Sequence, residues 1–151
     1  MKTSKIFLMI MSCQCLSLGI TAPLEAVPIW ASHLTMTTSD KSVNEVIKSS
    51  FRSGSAQNLA AYFDDQLELF IDTEAVDFAE VRAKHAELIL STFFKKHPPQ
   101  NFQYVYQGGL ARLRYVTGLY QTGGQRFSVY VLMRQDSHNR LLINTLHLRK
   151  G

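Results

Sequence analysis

Two pairs of adjacent glycines, Gly108-Gly109 and Gly123-Gly124, divide the second half of the chain into regular segments. With the polar segment 136–139 they separate four runs rich in β-branched and aromatic residues, at 102–107, 111–121, 126–134 and 141–149. Glycine pairs and Asp/Asn-rich segments supply the backbone angles of tight turns between strands. The spacing therefore predicts four long strands that pair antiparallel in chain order.

The segment before these strands has a helical period. Residues 42–52 form an apolar stripe at three- and four-residue spacing. Gly54 ends this predicted helix, and Ser55 can cap a short second helix over residues 56–63. The members of the stripe are Val43, Val46, Ile47 and Phe51.

Residues 66–72 alternate between apolar and other side chains, which predicts a strand. Residues 78–96 carry polar residues every three or four positions, which predicts the longest helix, and His97-Pro98-Pro99 ends it. Helices followed by a strand meander predict an α+β domain in which the helices pack on one face of a bent antiparallel sheet.

The turn at Gly123-Gly124 also predicts the strand register, because a two-residue loop places Thr122 opposite Gln125. The face that follows from this register is apolar and is predicted to lie under the long helix, with Gly118 marking a bend. Its predicted members are Arg114, Val116, Gly118, Tyr120, Phe127, Val129, Val131, Met133, Leu142, Asn144, Leu146 and Leu148.

The opposite face of the predicted sheet is too apolar for a surface in contact with water. Contiguous apolar patches of this kind usually mark protein interfaces. We therefore predict a homodimer whose interface includes Tyr115, Tyr130, Leu132 and Ile143.

The chain opens with the pattern of a secretory signal peptide. Lys2 and Lys5 precede an apolar run over residues 6–22, and no stop-transfer cluster follows it. We predict a signal peptide over 1–26, with cleavage as late as residue 31, a linker over 27–41 and one domain over 42–151. The protein would then be periplasmic or secreted, with no membrane span in the mature chain.

Both cysteines lie inside this apolar run, so cleavage after it would leave a mature chain without thiols. The alternative is a lipoprotein, because the residues before Cys13 loosely resemble a lipoprotein cleavage box. Lipidation of Cys13 would then anchor the protein to a membrane.

Charge and motifs exclude several classes of function. Residues 40–94 hold ten acidic and five basic residues, and residues 95–151 hold nine basic and one acidic residue. The basic residues form no cluster, so nucleic acid is not an expected partner. The five histidines lack the spacing of zinc ligands, and no phosphate loop or nucleophile motif is present, so neither a metal nor a cofactor is expected.

Several stretches of the chain resemble a bacterial envelope family known as domain of unknown function 4783. The stretches are Gly54-Ser55-Ala56, Tyr62-Phe63-Asp64 and the run from Phe93 to Pro99 with Phe102; Gly118, Tyr130 and Leu142-Ile143 agree as well. The order of elements looks like the nuclear transport factor two-like fold, a cone whose sheet wraps a helix. The resemblance covers residues 43–148 and implies that fold, without an activity to carry over.

One line on the predicted long helix carries polar residues where it should face the sheet. Arg82 and His85 lie on this line, and a buried polar side chain is costly unless it is paired. In one interpretation Arg82 reaches solvent and His85 is a hydrogen-bonded core residue. In the other, both line a pocket that binds a small anion, with Asn144, Arg114, Tyr104 and Tyr106 as further candidates.

These observations favour a binding module without catalysis, which takes a small ligand or a protein partner. A lyase or isomerase acting in the cone is the alternative, by analogy with the fold alone. That alternative requires a histidine paired with a carboxylate in the pocket. A third possibility is a lipoprotein interaction domain whose cone is filled by its own side chains.

Overall fold

The structure of the protein is a computed structural model that describes residues 38–151. The predicted signal peptide, its cleavage site, Cys13 and most of the predicted linker lie outside these residues. The described part has two helices, a strand hairpin, a third helix and four further strands. The helices are α1 (Thr38–Ser53), α2 (Ala56–Ala60) and α3 (Ala83–Lys96). The strands are β1 (Phe63–Ile71), β2 (Val76–Arg82), β3 (Asn101–Leu110), β4 (Leu113–Thr122), β5 (Gln125–Gln135) and β6 (Leu141–Lys150).

The two amino-terminal helices form for the predicted reasons. The stripe residues Val43, Ile47 and Phe51 are buried on α1, which begins at Thr38 rather than at Ser42. The Asn58 backbone N–H donates to the Ser55 side chain at 3.3 Å, which caps α2. The short helix ends at Ala60, because the chain from Phe63 onward joins the sheet.

All six strands form one sheet in the order β2-β1-β6-β5-β4-β3. β3 to β6 pair antiparallel as predicted, and Thr122 lies opposite Gln125. The sheet is nevertheless mixed rather than wholly antiparallel, because β1 pairs parallel with β6. This pairing places the β1–β2 hairpin beside β6, so that β2 forms one edge of the sheet and β3 the other.

The predicted helix over 78–96 is wrong in its first part. Residues 76–82 form β2, an edge strand that pairs with β1, and α3 begins only at Ala83. A short turn through Ala75, which has a φ of 52°, brings β2 back beside β1. The hydrogen bonds of this hairpin prevail over the helix-favouring spacing of the polar residues in the same segment.

Aromatic side chains fill the space between the helices and the inner face of the sheet. Phe51 stacks on Phe102 at 4.9 Å between ring centres, and Phe93 meets Phe127 edge to face at 5.2 Å. Tyr120 lies among these rings, and all five side chains are completely buried. The interior of the cone is therefore packed with the chain's own side chains at this end.

A bulge on β6 changes the face on which two predicted residues lie. Leu132 lies opposite Thr145, but the next residue, Met133, lies opposite Ile143, so Asn144 is the extra residue. The inserted residue shifts the alternation, because successive side chains of a strand point to opposite faces. Leu141 and Ile143 consequently belong to the buried core, and the assignment of Ile143 to the outer face was wrong.

Candidate functional site

The residues predicted to line one pocket are distributed over five places. His85 is exposed on α3, with its ring 6.1 Å from that of Phe78. Arg114 donates to the carbonyl oxygens of Ala111 and Leu113, at 2.8 and 3.0 Å, in the turn that precedes it. The exposed His85 therefore does not form the predicted interior lining, whereas Arg114 lies opposite the buried Met133 on the inner face and holds the adjoining turn.

The two candidate tyrosines of β3 lie on opposite faces. Tyr104 faces the interior and its hydroxyl donates to the backbone carbonyl of Asn44. Burial raises the pKa of Tyr104, which keeps its proton on the hydroxyl. A bulge at Val105 turns Tyr106 to the outer face, where it is 56% exposed. Tyr104 thus acts as a brace between α1 and β3.

Arg82 and Asn144 do lie together, although not inside the cone. Arg82 is the last residue of β2 and precedes α3, and Asn144 is the bulge residue of β6. Both line a surface depression of about 830 Å³ that also reaches Arg134 of β5. Because Arg134 alternates with the buried Met133, the depression opens on the outer side of the sheet. The sequence brought out Arg82 by a helical argument that β2 contradicts, and Asn144 by a strand alternation that the bulge interrupts.

Three breaks in strand register meet at this depression. The register shifts between Leu67 and Leu69 against β2, and between Phe63 and Glu68 against β6. The third is the bulge at Asn144 between β5 and β6. Bulges interrupt the ladder of backbone hydrogen bonds and are common beside functional sites. The wall of the depression is therefore built from strand segments that are not regularly paired.

Side chains of both charges line the depression. The acidic ones are Asp64, Asp65, Glu68 and Glu80, and the basic ones are Arg82, Lys84 and Arg134. Lys84 is bound to Glu87 on its own helix at 2.8 Å, and Glu68 contacts His147 at 2.8 Å. The other five form no ion pair within residues 42–151. Within the described residues the depression therefore holds three carboxylates and two guanidinium groups without an ion pair, and Asp64 Oδ1 accepts the Asp65 backbone N–H at 2.9 Å.

A row of rings crosses the outer face from the β3 edge to β1. Neighbouring ring centres in this row are 5.7 to 6.3 Å apart. A hydrogen bond with Tyr106 raises the pKa of Tyr115 above its ordinary value. The aromatic row consists of Tyr106, Tyr115, Tyr130, His147 and Phe70.

Apolar side chains and an arginine extend the surface beside the aromatic row. Arg149 lies over the ring of Phe70 at 5.1 Å, a cation–π contact. Leu132 is half-buried, and Leu113 is 42% exposed at the end of β4. Three of the four predicted interface residues, Tyr115, Tyr130 and Leu132, therefore share one partly exposed surface.

The described residues contain two close contacts between a histidine and a glutamate. His97 Nε2 lies 3.5 Å from Glu74 Oε1 at the end of α3, where Lys96 also binds Glu74. The other contact joins His147 to Glu68 on the outer face. The fully buried polar side chains of residues 42–151 are Asn44, Ser50, Thr122 and Thr145, none of which is an acid or a base. Of the two contacts, His97–Glu74 is the one next to the core, because the His97 ring lies 4.8 Å from that of Phe93 and 5.2 Å from that of Phe127.

Two further properties concern membranes and metals. No helix within residues 38–151 is both long enough and apolar enough to span a bilayer. In the same part of the chain, no three histidine, cysteine, aspartate or glutamate side chains converge in a way that could hold a metal ion.

A curved six-stranded sheet with helices on its inner face defines the nuclear transport factor two-like, or cystatin-like, class of folds. Two members of this class are similar in structure. One is a nuclear transport factor two-like protein of unknown function from Silicibacter pomeroyi, with a TM-score of 0.56, 9% identity, and coverage of 74% of this chain and 92% of the other. The other is a domain of unknown function with a cystatin-like fold from Nostoc punctiforme, with a TM-score of 0.59, 12% identity, and coverage of 76% and 79%.

The chain belongs to the DUF4783 family, a domain of unknown function whose family model matches residues 44–149. A crystal structure of a DUF4783 family protein from Bacteroides uniformis has a TM-score of 0.65 and 24% identity. That similarity covers 71% of this chain and 95% of the other. None of the curated proteins matches the chain in sequence. The resemblance found in the turn and aromatic positions of the sequence is thereby confirmed.

Proposed function

We propose that the protein is an exported binding module without catalytic activity, and that it forms a homodimer through the outer face of its sheet. The aromatic row is the observation that carries this proposal. Tyrosine is enriched in the centres of protein interfaces, because its ring is large and apolar and loses little conformational freedom on binding. A row of such rings across a sheet favours a flat protein partner over a small molecule.

The size of the outer face supports a stable dimer. Six strands of seven to eleven residues, about 4.8 Å apart and with a rise of about 3.3 Å per residue, give the sheet a face of about 900 Å². A standard protein interface takes about 800 Å² from each partner. A second copy covering this face would therefore bury the area that a stable complex needs.

The charges on the face favour a second copy of this chain as the partner. Arg126 and Arg134 of β5 and Arg149 of β6 are exposed around the aromatic row, and Glu68 of β1 is exposed at its other end. A twofold axis near the middle of the row places the β1 end of one copy over the β4 and β5 strands of the other. Such an arrangement brings carboxylates of one copy toward arginines of its partner.

The packed interior weakens the two alternatives that need an open cone. A small-ligand pocket or a lyase or isomerase site inside the cone requires space that Phe93, Tyr120 and Phe127 occupy at this end. Of the two His–Glu contacts, His147–Glu68 lies on the outer face, and His97–Glu74 lies at the end of α3, where the His97 ring packs 4.8 Å from Phe93 and 5.2 Å from Phe127 and leaves no open space beside it. An interaction module binds its partner through its outer surface, so it does not require an open cone.

Export is part of the proposal on the strength of the sequence alone. Lys2, Lys5 and the apolar run over 6–22 favour a cleaved signal peptide, and a lipid anchor at Cys13 is the alternative. Both routes place the folded domain outside the cytoplasm. The interaction surface would then be available to partners in the cell envelope.

The test of the dimer is the substitution Leu132→Glu, measured by sedimentation velocity. The leucine is half-buried beside the aromatic row, so a carboxylate there would be desolvated in the interface and should convert the dimer to a monomer. Leu88→Glu is the matched control, because Leu88 is 58% exposed on α3, away from the sheet's outer face. This control should remain a dimer with an unchanged melting temperature.

The proposal is contradicted if the wild-type protein sediments as a monomer at about 50 μM. An ordinary dimer has a dissociation constant of roughly 1 μM and would be associated at that concentration. The same holds if Leu132→Glu and Leu88→Glu both remain dimeric.

A further inference from the structure

The two edge strands of the sheet differ in charge. β2 forms one edge with seven residues, and three of these, Asp77, Glu80 and Arg82, are charged. β3 forms the other edge with ten residues, Asn101–Leu110, none of which is charged or a proline. Proteins usually protect an edge strand with charged side chains or proline, because its unpaired N–H and C=O groups can bind another chain. β3 lacks both of these protections.

One part of the β3 edge is nevertheless covered. The Arg52 Nε on α1 donates to the carbonyl oxygen of Phe102 at 3.1 Å, which occupies the beginning of the edge. Val105 forms a bulge, and residues 106–110 then pair regularly with β4. Bulges also protect edges, but this one lies before the regular segment. Residues 105–110, here named the free edge, have no strand on their other side within the described part of the chain.

The free edge exposes apolar side chains. Leu110 is 82% exposed and Val105 is 64% exposed, which makes them the two most exposed of the large apolar side chains in the described residues. Between them, Gly108 and Gly109 have no side chains that could shield their backbone groups. Strand addition uses these two features, because backbone hydrogen bonds give the affinity and side-chain contacts give the specificity.

The size of the free edge decides what kind of partner it can hold. Six residues with a rise of about 3.3 Å each, on a sheet about 10 Å thick, offer an area on the order of 200 Å². A stable complex of folded proteins takes about 800 Å² from each partner, so this edge alone would not hold a second copy. A single extended segment can be held, because its affinity comes from hydrogen bonds to the backbone.

The absence of charge on the free edge decides the composition of that segment. The arginines that follow it, Arg112 and Arg114, each donate hydrogen bonds to two backbone carbonyl oxygens around the turn. A charged segment would lose hydration on the free edge without meeting an opposite charge there. An uncharged segment avoids this cost, and its apolar side chains can cover Val105 and Leu110.

We propose that the free edge binds an extended, uncharged segment of another protein, which joins the sheet beside β3 as a seventh strand. The segment pairs with the backbone of residues 105–110 and covers Val105 and Leu110. This site goes beyond the proposed dimer, because strand addition takes place at the side of the sheet and not on its outer face.

The experiment is a titration of the ¹⁵N-labelled protein with capped hexapeptides of alternating threonine and valine. The binding probe is N-methylated at every second residue, so it keeps one hydrogen-bonding edge and cannot stack on itself. One control peptide is N-methylated at every residue and lacks backbone N–H donors. A second control peptide has the methylation of the binding probe and lysine in place of each threonine.

We expect the binding probe to shift the amide signals of residues 105–110 with a dissociation constant of about 100 μM. Each control peptide should bind at least ten times more weakly, because one lacks the backbone donors and the other brings charge to an uncharged edge. The amide signals of residues 76–82, on the opposite edge, should not respond to any of the three.

Substitutions on the two edges separate binding from folding. Val105→Lys places a charge on the free edge and should weaken binding of the probe about tenfold, with an unchanged melting temperature because the side chain is largely exposed. Phe78→Lys is the matched control, at an apolar side chain of β2 that is 41% exposed, and should bind like the wild type. Leu110→Lys provides a second variant if Val105→Lys does not fold, and it should weaken binding to a similar extent.

Four results would overturn the proposal. The first is no shift at residues 105–110 with the binding probe at about 1 mM, roughly ten times the expected dissociation constant. The second is equal binding by either control peptide, and the third is normal binding by both Val105→Lys and Leu110→Lys. The fourth is a shift at residues 105–110 when the Leu132→Glu protein is concentrated without peptide, which would show that a second copy occupies this edge. The peptide titrations can be read with a monomer or a dimer, so failure of the proposed dimer would leave them unaffected.

Discussion

His147 Nε2 lies 2.8 Å from Glu68 Oε1, and this contact joins the parallel strands β6 and β1 on the outer face of the sheet. His147 is also a member of the aromatic row, and Glu68 lines the depression. One side-chain pair therefore links the surface proposed to bind a second copy with the depression beside β1 and β6.

The first prediction concerns the strength of this contact. The side chain of Glu68 is 47% exposed, so water competes for its oxygens and the pair should contribute less than about 1 kcal/mol. A double-mutant cycle with Glu68→Gln and His147→Gln, measured by urea unfolding, gives the coupling energy directly. A value of several kcal/mol would show that the contact is as important as a buried ion pair.

A second prediction concerns the acid stability of the folded chain. The hydrogen bond from Lys96 lowers the pKa of Glu74 below its ordinary value of 4.5. The unfolded chain keeps the ordinary pKa, so Glu74 stabilises the fold above that value, and this contribution disappears as the pH falls through the lowered pKa. Glu74→Gln should therefore lower the free energy of unfolding by about 1 kcal/mol at neutral pH.

The same substitution should have little effect in strong acid, where Glu74 is protonated in both states. Urea unfolding of the wild type and Glu74→Gln between neutral pH and about pH 2 measures both limits. Asp77→Asn, at an exposed position of β2, is the control and should follow the wild type throughout. A difference between the wild type and Glu74→Gln that does not change with pH would contradict the electrostatic explanation.

A third prediction concerns the close approach of Phe102 to Gly118. A Cβ atom added at Gly118 would lie 2.6 Å from two ring carbons of Phe102, much closer than real Cβ atoms come to their neighbours. Gly118→Ala should therefore destabilise the protein by about 1–3 kcal/mol, the usual cost of overpacking. Phe102→Leu removes the ring and should make the alanine less costly in the double variant. Additive costs in thermal or urea unfolding would mean that the ring is not the cause.

The fourth prediction concerns processing of the amino terminus. Lys2, Lys5 and the apolar run over 6–22 predict a mature chain that begins between Ala22 and Ser32 and contains no cysteine. Intact-mass measurement on protein from the cell envelope checks this prediction. A diacylated amino terminus at Cys13 would show the lipoprotein alternative to be correct.

The sequence predicted the β4–β5 pairing because a local turn determines it. Gly123 and Gly124 both have positive φ angles, and the two-residue loop that they form fixes every opposing pair along both strands. The capped start of α2 and the buried stripe of α1 were predictable for the same reason, because neighbouring residues determine them.

The errors arose where distant segments determine the structure. Residues 76–82 become a strand because β1 lies beside them, and their own spacing does not reveal that partner. The bulge at Asn144 depends on the pairing of β6 with β5, and it moved Ile143 from the predicted interface to the core. The depression was not predicted because it arises from three such pairings at once.

The position of the register breaks also bears on how members of a protein family diverge. Residues at a bulge take part in few ladder hydrogen bonds, so substitutions at Asn144 or along residues 64–67 disturb the fold less than substitutions among the packed rings of Phe51, Phe93 and Phe127. Substitutions can therefore change the charges of the depression while the packed aromatic core preserves the fold. Relatives that keep the same aromatic core should differ most in the side chains that line this corner of the sheet.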